Sequence, residues 1–237
     1  MANKVVVSSD KIAAIANAIR TKTGNSDLMS LDDMPTQIAS IEGGGSADTR
    51  FKELVEGTIT DVVDNTITTT NSYAFYANEN LANVSLTSLI SLGSYSFSKC
   101  TALASVDLPS LNANVSTFVF DGCTALQQVN IPNSTGANNY AFQDTTALEK
   151  VELEGSANIG SYSFRRSGIK ALIIRNNTSK LTKLTSTNAF TDCPIANGTG
   201  YIYFYREFVE SYKSATGWSN YAEQIRAIED YPEITGG

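Results

Sequence analysis

The chain contains no histidine among its 237 residues, and it has only three cysteines. Without histidine it lacks the commonest general base and every serine–histidine or cysteine–histidine nucleophile pair. Cys100, Cys123 and Cys193 are odd in number and do not show the C-x-x-C spacing of a zinc site. Because no nucleotide, dinucleotide or calcium-loop motif occurs either, we expect no metal, no cofactor and no disulfide scaffold.

Long hydrophobic runs and basic clusters are also missing. The N-terminus offers three consecutive valines, far short of a secretory signal, and no stretch approaches the roughly 20 apolar residues that cross a bilayer. Lysine and arginine number 17 against 24 aspartates and glutamates, which gives a net charge of −7. We therefore expect no export signal, no membrane insertion and no nucleic-acid partner.

An internal repeat dominates the middle of the chain. Each copy has an aromatic residue, then x-Phe, then Leu, then Val-x-Leu or Val-x-Ile, as in YSFSKCTALASVDLP and FVFDGCTALQQVNIP. The repeat phenylalanines follow one another in steps of 22, 23, 22, 22 and 26 residues. They are Phe75, Phe97, Phe120, Phe142, Phe164 and Phe190. This spacing is the length of one solenoid coil, so we expect these six residues to form the repeat core.

The L-x-x-V-x-L stretch of each copy predicts a short strand with two inward residues and a polar residue between them. The inward pairs are Val84 and Leu86, Val106 and Leu108, Val129 and Ile131, Val151 and Leu153, and Leu172 and Ile174. One coil buries too little apolar surface to offset its chain entropy, so the coils must stack. Stacking would join their strands into a continuous parallel sheet.

The units resemble the BspA-like class of leucine-rich repeats of bacterial surface antigens, whose pattern runs aF-x-x-C-x-x-L-x-x-V-x-L-P. The cysteines stand three residues after the repeat Phe, where this pattern implies a small buried residue. Cys100 and Cys123 would lie about 5 Å apart in neighbouring coils, close enough to oxidise in principle, although nothing requires that bond.

The outward side of the predicted sheet is the candidate binding face. Its residues are small and polar, and the central ones are Ser85, Asp107, Asn130, Glu152, Lys150 and Gln128, with Asn83, Ser105, Ala171 and Ile173 completing the rows. Such a ladder suits hydrogen bonding to a glycan or a protein loop. A merely solvated sheet face has the same composition, so the alternative stays open.

Two other groups of residues are candidates for chemistry, a pair of carboxylates for catalysis and a cluster of aromatic residues for sugar binding. Asp107 and Glu152 are expected about 10 Å apart on the outward face with Asn130 between them, which makes a catalytic carboxylate pair improbable; we expect no enzyme. The aromatic residues near the C-terminus suit sugar stacking or packing beneath a cap, and alternation favours packing. They are Tyr201, Tyr203, Phe204, Tyr205, Tyr212, Trp218 and Tyr221.

The two ends of the chain do not carry the repeat. Residues 1–42 contain two amphipathic stripes that predict a helical hairpin, and residues 43–50 form a glycine-rich linker. The segments IAAIANAIRTKTG and LMSLDDMPTQIASI resemble a helical module at the front of phage tail and virion-associated proteins. That resemblance implies attachment to other virion proteins or oligomerisation, for example as a trimer; alternatively, the hairpin only covers the first coil.

The sequence thus predicts an α+β repeat solenoid. It is a leucine-rich-repeat stack with short parallel strands over residues 51–200, preceded by the N-terminal helical hairpin and followed by a helical cap over residues 201–237. The leading functional hypothesis is a phage virion protein of the tail fibre, tail tip or baseplate. It would be made in the host cytoplasm and would bind a host cell-surface protein or glycan. The alternatives are a BspA-like adhesin on the bacterial surface and a capsid or tail decoration protein without a receptor.

Overall fold

The computed structural model describes residues 60–176, 178 and 180–235. The predicted N-terminal hairpin and the glycine-rich linker lie outside these residues. The described chain is a succession of short strands and tight turns that stack along one axis in about seven coils, so the predicted parallel-strand solenoid is confirmed.

The strands are only two to four residues long. They are β1 (Asp61–Val63), β2 (Asn83–Ser85), β3 (Ser105–Asp107), β4 (Gln128–Asn130), β5 (Lys150–Leu153), β6 (Asn158–Ile159), β7 (Ala171–Ile174), β8 (Lys183–Leu184), β9 (Tyr201–Phe204) and β10 (Ile225–Ala227). Every pairing among them is parallel, and equivalent repeat residues face each other, for example Val84, Val106 and Val129. The repeat therefore sets the register.

Two columns of stacked rings run through the coils. The six repeat phenylalanines lie one above another, with successive ring centroids 5.1, 5.7, 5.4, 5.2 and 5.7 Å apart. All are fully buried except Phe75 in the first of these coils, which is half-buried. The aromatic residues two positions earlier form a second, half-exposed column, with centroids 4.4–5.4 Å apart. Its members are Tyr73, Tyr95, Phe118, Tyr140 and Tyr162.

The predicted inward pairs line the core beside the phenylalanines. Each of these side chains is buried with the exception of Val129, which is half-buried. The three cysteines are buried too, and none forms a disulfide. The thiol of Cys100 donates to the carbonyl of Phe75 and that of Cys123 to the carbonyl of Phe97, both at 3.0 Å. Burial raises the pKa of all three thiols, that of Cys100 to about 12, which favours the protonated, less reactive form.

The strand side of the solenoid is not one continuous sheet, which differs from the prediction. Strands β1, β2, β3 and β4 form one four-stranded sheet, and β5, β7, β9 and β10 form a second. No strand pairing joins β4 to β5 in the described chain. The neighbouring turns stay stacked across this junction, because Phe118, Phe120 and Gly122 donate their amides to carbonyls of the next coil.

The C-terminal segment also differs from the predicted helical cap. Strands β9 and β10 extend the second sheet, and the helices between and after them are short. They are α1 (Val209–Ser214), α2 (Pro232–Thr235) and the 3-10 segments Arg206–Phe208, Trp218–Gln224 and Ile228–Asp230. Trp218 of this segment is nevertheless buried, and its indole N–H donates to the carbonyl of Thr182 at 2.7 Å. The last coil is thus closed by a strand-and-turn unit.

Candidate functional site

The candidate site begins with the polar side chains on the outward face of the first sheet. Parallel register places them in two rows, and each row is linked by hydrogen bonds between coils. In one row Asn83 donates to Asp61 at 2.7 Å, and Ser105 donates to Asn83 at 2.6 Å. The side-chain hydrogen bonds from Thr60 and Asn83 lower the pKa of Asp61. The carboxylates on this face are therefore tied into the ladder.

The second row is centred on Asp107. Its carboxylate accepts hydrogen bonds from Ser85 Oγ at 3.2 Å and from Asn130 Nδ2 at 2.6 Å. Asn130 is exposed, and within the described residues no side-chain hydrogen bond continues from it to Glu152 in the next coil. The ladder that runs from β1 to β4 consequently ends at the point where the two sheets separate.

A groove of about 530 Å³ opens at this junction. Its walls are β3 and the whole of β4 on one side and two residues of β5 on the other. It collects five of the six residues of the predicted binding face, namely Asp107, Gln128, Asn130, Lys150 and Glu152, whereas Ser85 lies outside it. The inward-facing Val129 is half-buried at this place and contributes apolar surface.

The charged side chains on the β5 side of the groove form hydrogen bonds or ion pairs with neighbouring residues. The Glu152 carboxylate accepts a hydrogen bond from Arg175 Nε and forms an ion pair with it, which raises the pKa of the guanidinium. Lys150 Nζ donates to the carbonyl of Ile234 at 3.1 Å. The carboxylates of Asp107 and Glu152 are thus engaged with different partners, an arrangement that suits recognition better than proton transfer.

Beyond the groove the outward face is covered. Sequence alternation places Ile173 among the polar rows, but the structure buries it completely, together with Tyr203 and Ile228. Tyr231 packs edge-on against Tyr203 with centroids 5.4 Å apart, and Ile234 joins the same cluster. The predicted open face is therefore wrong at β7 and β9, where residues of the C-terminal segment cover the sheet, whereas Lys150 and Glu152 of β5 stay on the open part.

The tyrosines of β9 belong to this outer cluster. Tyr201, Tyr203 and Tyr205 lie on one side of the strand and pack under the C-terminal segment, as the alternation predicts. Phe204, Tyr212 and Trp218 pack on the opposite, inner side, with centroids 3.5–5.6 Å apart. Packing therefore accounts for the aromatic cluster better than a stack of rings left open for sugars.

Two features of the site are missing from the sequence interpretation. The apolar residues Ile173 and Tyr203, at outward positions, were the available signal that this part of the sheet is covered. The interruption between β4 and β5 has no such signal, since the repeat motif is intact on both sides, as FVFDGCTALQQVNIP and YAFQDTTALEKVELE. Within the described part of the chain, neither a metal-binding cluster nor a helix that could span a membrane is present.

Comparison with known proteins gives the family. A profile described as a BspA type leucine rich repeat region matches residues 65–196 as six copies, more than half of the sequence. The chain belongs to the BspA-type leucine-rich-repeat family. No curated protein matches it.

Solved structures with similarity to this BspA-type chain are distant. A leucine rich cell surface protein from Faecalibacterium prausnitzii is 15% identical with a TM-score of 0.32, and the match covers 61% of this chain and 60% of that protein. A leucine-rich repeat protein from Bacteroides ovatus is 10% identical with a TM-score of 0.22, over 58% of this chain and 59% of that one. The chain therefore spans about 60% of the length of each.

Proposed function

We propose that this BspA-type chain is a non-catalytic adhesion module that binds a macromolecule on the surface of a cell through the groove between β4 and β5. The observation that carries the proposal is the position of the groove. It interrupts an otherwise hydrogen-bonded polar ladder and gathers five residues of the outward face. A merely solvated face would offer a continuous ladder with no concave site.

The polarity of the groove supports recognition of a polar partner. Gln128, Asn130 and Lys150 are exposed and offer amide and ammonium groups, while Val129 supplies a small apolar patch. Ligand sites commonly combine such an apolar contact with a few fixed polar groups. The partner is a cell-surface protein or glycan. With a net charge of −7 the chain is poorly suited to nucleic acid.

The test is binding of the full chain to candidate host cells, measured by flow cytometry. The double variant Gln128→Arg/Asn130→Arg fills the groove with two long side chains at exposed positions. Binding should fall at least about tenfold, as at the centre of an interface. Thr101→Arg/Thr124→Arg adds the same charge at exposed positions outside the groove and should change binding less than about twofold. Equal losses in both double variants would refute the site.

A second proposal concerns where the module is displayed, and it has two candidates, the bacterial surface and the phage particle. BspA-type proteins are typically found on bacterial cell surfaces, which favours an adhesin. The resemblance of residues 12–41 to a phage tail module favours a virion protein of the tail fibre, tail tip or baseplate. It would be attached to other virion proteins through residues 1–42 and would form a trimer or another oligomer. Immunogold labelling with an antibody to the solenoid distinguishes them, because gold would decorate either bacterial envelopes or phage particles.

A role as a decoration protein without a receptor makes a different prediction. The particle or cell would still carry the chain, but the groove variant would adhere as well as the unaltered protein. The binding comparison above therefore also separates a receptor-binding module from an architectural one.

A further inference from the structure

The groove exposes an unpaired strand edge. At regular junctions the carbonyl two residues before the repeat Val accepts amides of the next coil: that of Ala82 accepts from Ala104 and Ser105, and that of Ala104 from Gln127 and Gln128. The equivalent carbonyl of Gln127 accepts no such bond in the described chain.

The amide at the end of β4 shows the same gap. The amide of Leu86 donates to Asp107 and that of Leu108 to Asn130, at 3.0 and 2.9 Å. The equivalent amide of Ile131 has no backbone acceptor among the described residues. Because Gln128 already donates toward β3, the alternation of a strand directs the amide of Val129 toward the groove as well. One edge of β4 therefore offers backbone donors and acceptors to an incoming chain.

We propose that the groove binds an extended peptide segment of a partner protein, which adds a parallel strand to the open edge of β4; this inference rests on the proposed adhesion function and names its ligand class. Strand addition is a common mode of peptide recognition, in which backbone hydrogen bonds provide affinity and alternate side chains provide specificity. The unpaired edge is what favours a polypeptide over a glycan.

The side chains that flank the groove define the sequence of the peptide. A residue in register with Asn130 would lie between its exposed carboxamide and the Glu152 carboxylate, so a lysine or arginine fits there. A residue in register with Gln128 would lie between that side chain and Lys150, where an acidic residue fits. The residue between them faces inward beside Val129 and should be aliphatic. The preferred segment is therefore acidic–aliphatic–basic.

Insertion requires room on the strand side alone. A strand placed between β4 and β5 would set them two strand spacings apart, about 9.6 Å. On the opposite side the coils would stay together, since Phe118 and Tyr140 stack at 4.4 Å and Ala137 bridges Ile159. The junction would thus open as a wedge hinged on the aromatic columns.

The first experiment uses the fluorescein-labelled peptide LTEVKLT and the full chain, with binding followed by fluorescence anisotropy. Saturable binding is expected. The same peptide with an N-methyl group on the lysine amide should bind at least tenfold more weakly, because that amide is needed for pairing with β4, whereas its side chains are unchanged. Absence of saturable binding, or equal affinity of the methylated peptide, overturns the proposal.

Two variants of the protein separate backbone from side-chain recognition. Val129→Pro removes the amide that faces the groove, and Val129→Ala keeps it while shortening the side chain. We expect at least a tenfold loss of peptide binding for the proline variant and less than threefold for the alanine variant. Circular dichroism verifies that both fold. Should the proline variant be unfolded, the N-methylated peptide still decides.

Amide hydrogen exchange examines the edge without any ligand. The amide of Ile131 should exchange at least tenfold faster than that of Leu108 in the free protein and should slow when LTEVKLT is added. Equal protection of the two amides in the free protein would show that the edge is closed and would overturn the inference.

If Gln128→Arg/Asn130→Arg abolishes cell binding but LTEVKLT does not bind, the adhesion function stands and the strand-addition inference falls.

Discussion

At the scale of single residues, the turns of the solenoid depend on a backbone conformation that most residues avoid. The residue two positions after each repeat Phe has a positive φ in six coils, between 52° and 72°. Glycine occupies this position only once, at Gly122; the others are Ala77, Lys99, Asp144, Arg166 and Asp192. A residue with a Cβ pays roughly 1–2 kcal/mol for this region, so the position is strained in the five coils that lack glycine there.

This strain can be measured by exchanging alanine and glycine between two coils. A Cβ added at Gly122 would lie 3.7 Å from Lys99 Cγ, an ordinary contact, so Gly122→Ala isolates the backbone cost. We expect it to lower the free energy of unfolding by about 0.5–1 kcal/mol, after allowance for the entropy of glycine in the unfolded chain. Ala77→Gly should raise it by a similar amount. Urea denaturation measures both, and a shift of the same sign in the two variants would contradict the explanation.

At the scale of elements, the repeat motif predicted the strands and the core well. The spacing of Phe97, Phe120 and Phe142 indicated one ring per coil, because a repeat that keeps its length must return each side chain to the same place. The break between β4 and β5 was beyond prediction, since it reflects how two whole coils stack and not which residues they contain. The burial of Ile173 likewise depends on a segment more than fifty residues later in the chain.

The phenylalanine column also predicts how much each coil contributes to the free energy of unfolding. Phe120 is fully buried between two stacked rings, whereas Phe75 is half-buried and stacks on one ring, that of Phe97, among the residues that the structure describes. Phe120→Ala should therefore cost about 3–5 kcal/mol of unfolding free energy, from lost burial and the cavity left behind. Phe75→Ala should cost about half as much or less. Chemical denaturation followed by tyrosine fluorescence gives the two values. Equal losses of unfolding free energy would mean that burial of the ring does not set its contribution to stability.

At the scale of the whole molecule, the two sheets are coupled less tightly than the coils within each sheet. Solenoid stability is approximately a sum of terms between neighbouring coils, so we expect the junction without strand pairing to be the weakest among the described coils. The aromatic columns and the bridge between Ala137 and Ile159 still hold this junction together. A destabilising substitution at one end should accordingly reduce the stability of the coils up to the junction and affect the coils beyond it less.

Trp218→Phe is such a substitution at the C-terminal end. The variant leaves the carbonyl of Thr182 without its indole donor in a buried site, which should cost about 1–3 kcal/mol. Amide exchange should become faster in β7 and β9, because Trp218 packs on Phe204 of β9 and the two strands are paired, while β2 and β3 keep their protection. Phe75→Ala serves as the mirror-image control, since it should act on β2 and β3 first. If Trp218→Phe accelerates exchange equally in both sheets, the solenoid unfolds as one unit and the groove does not divide it.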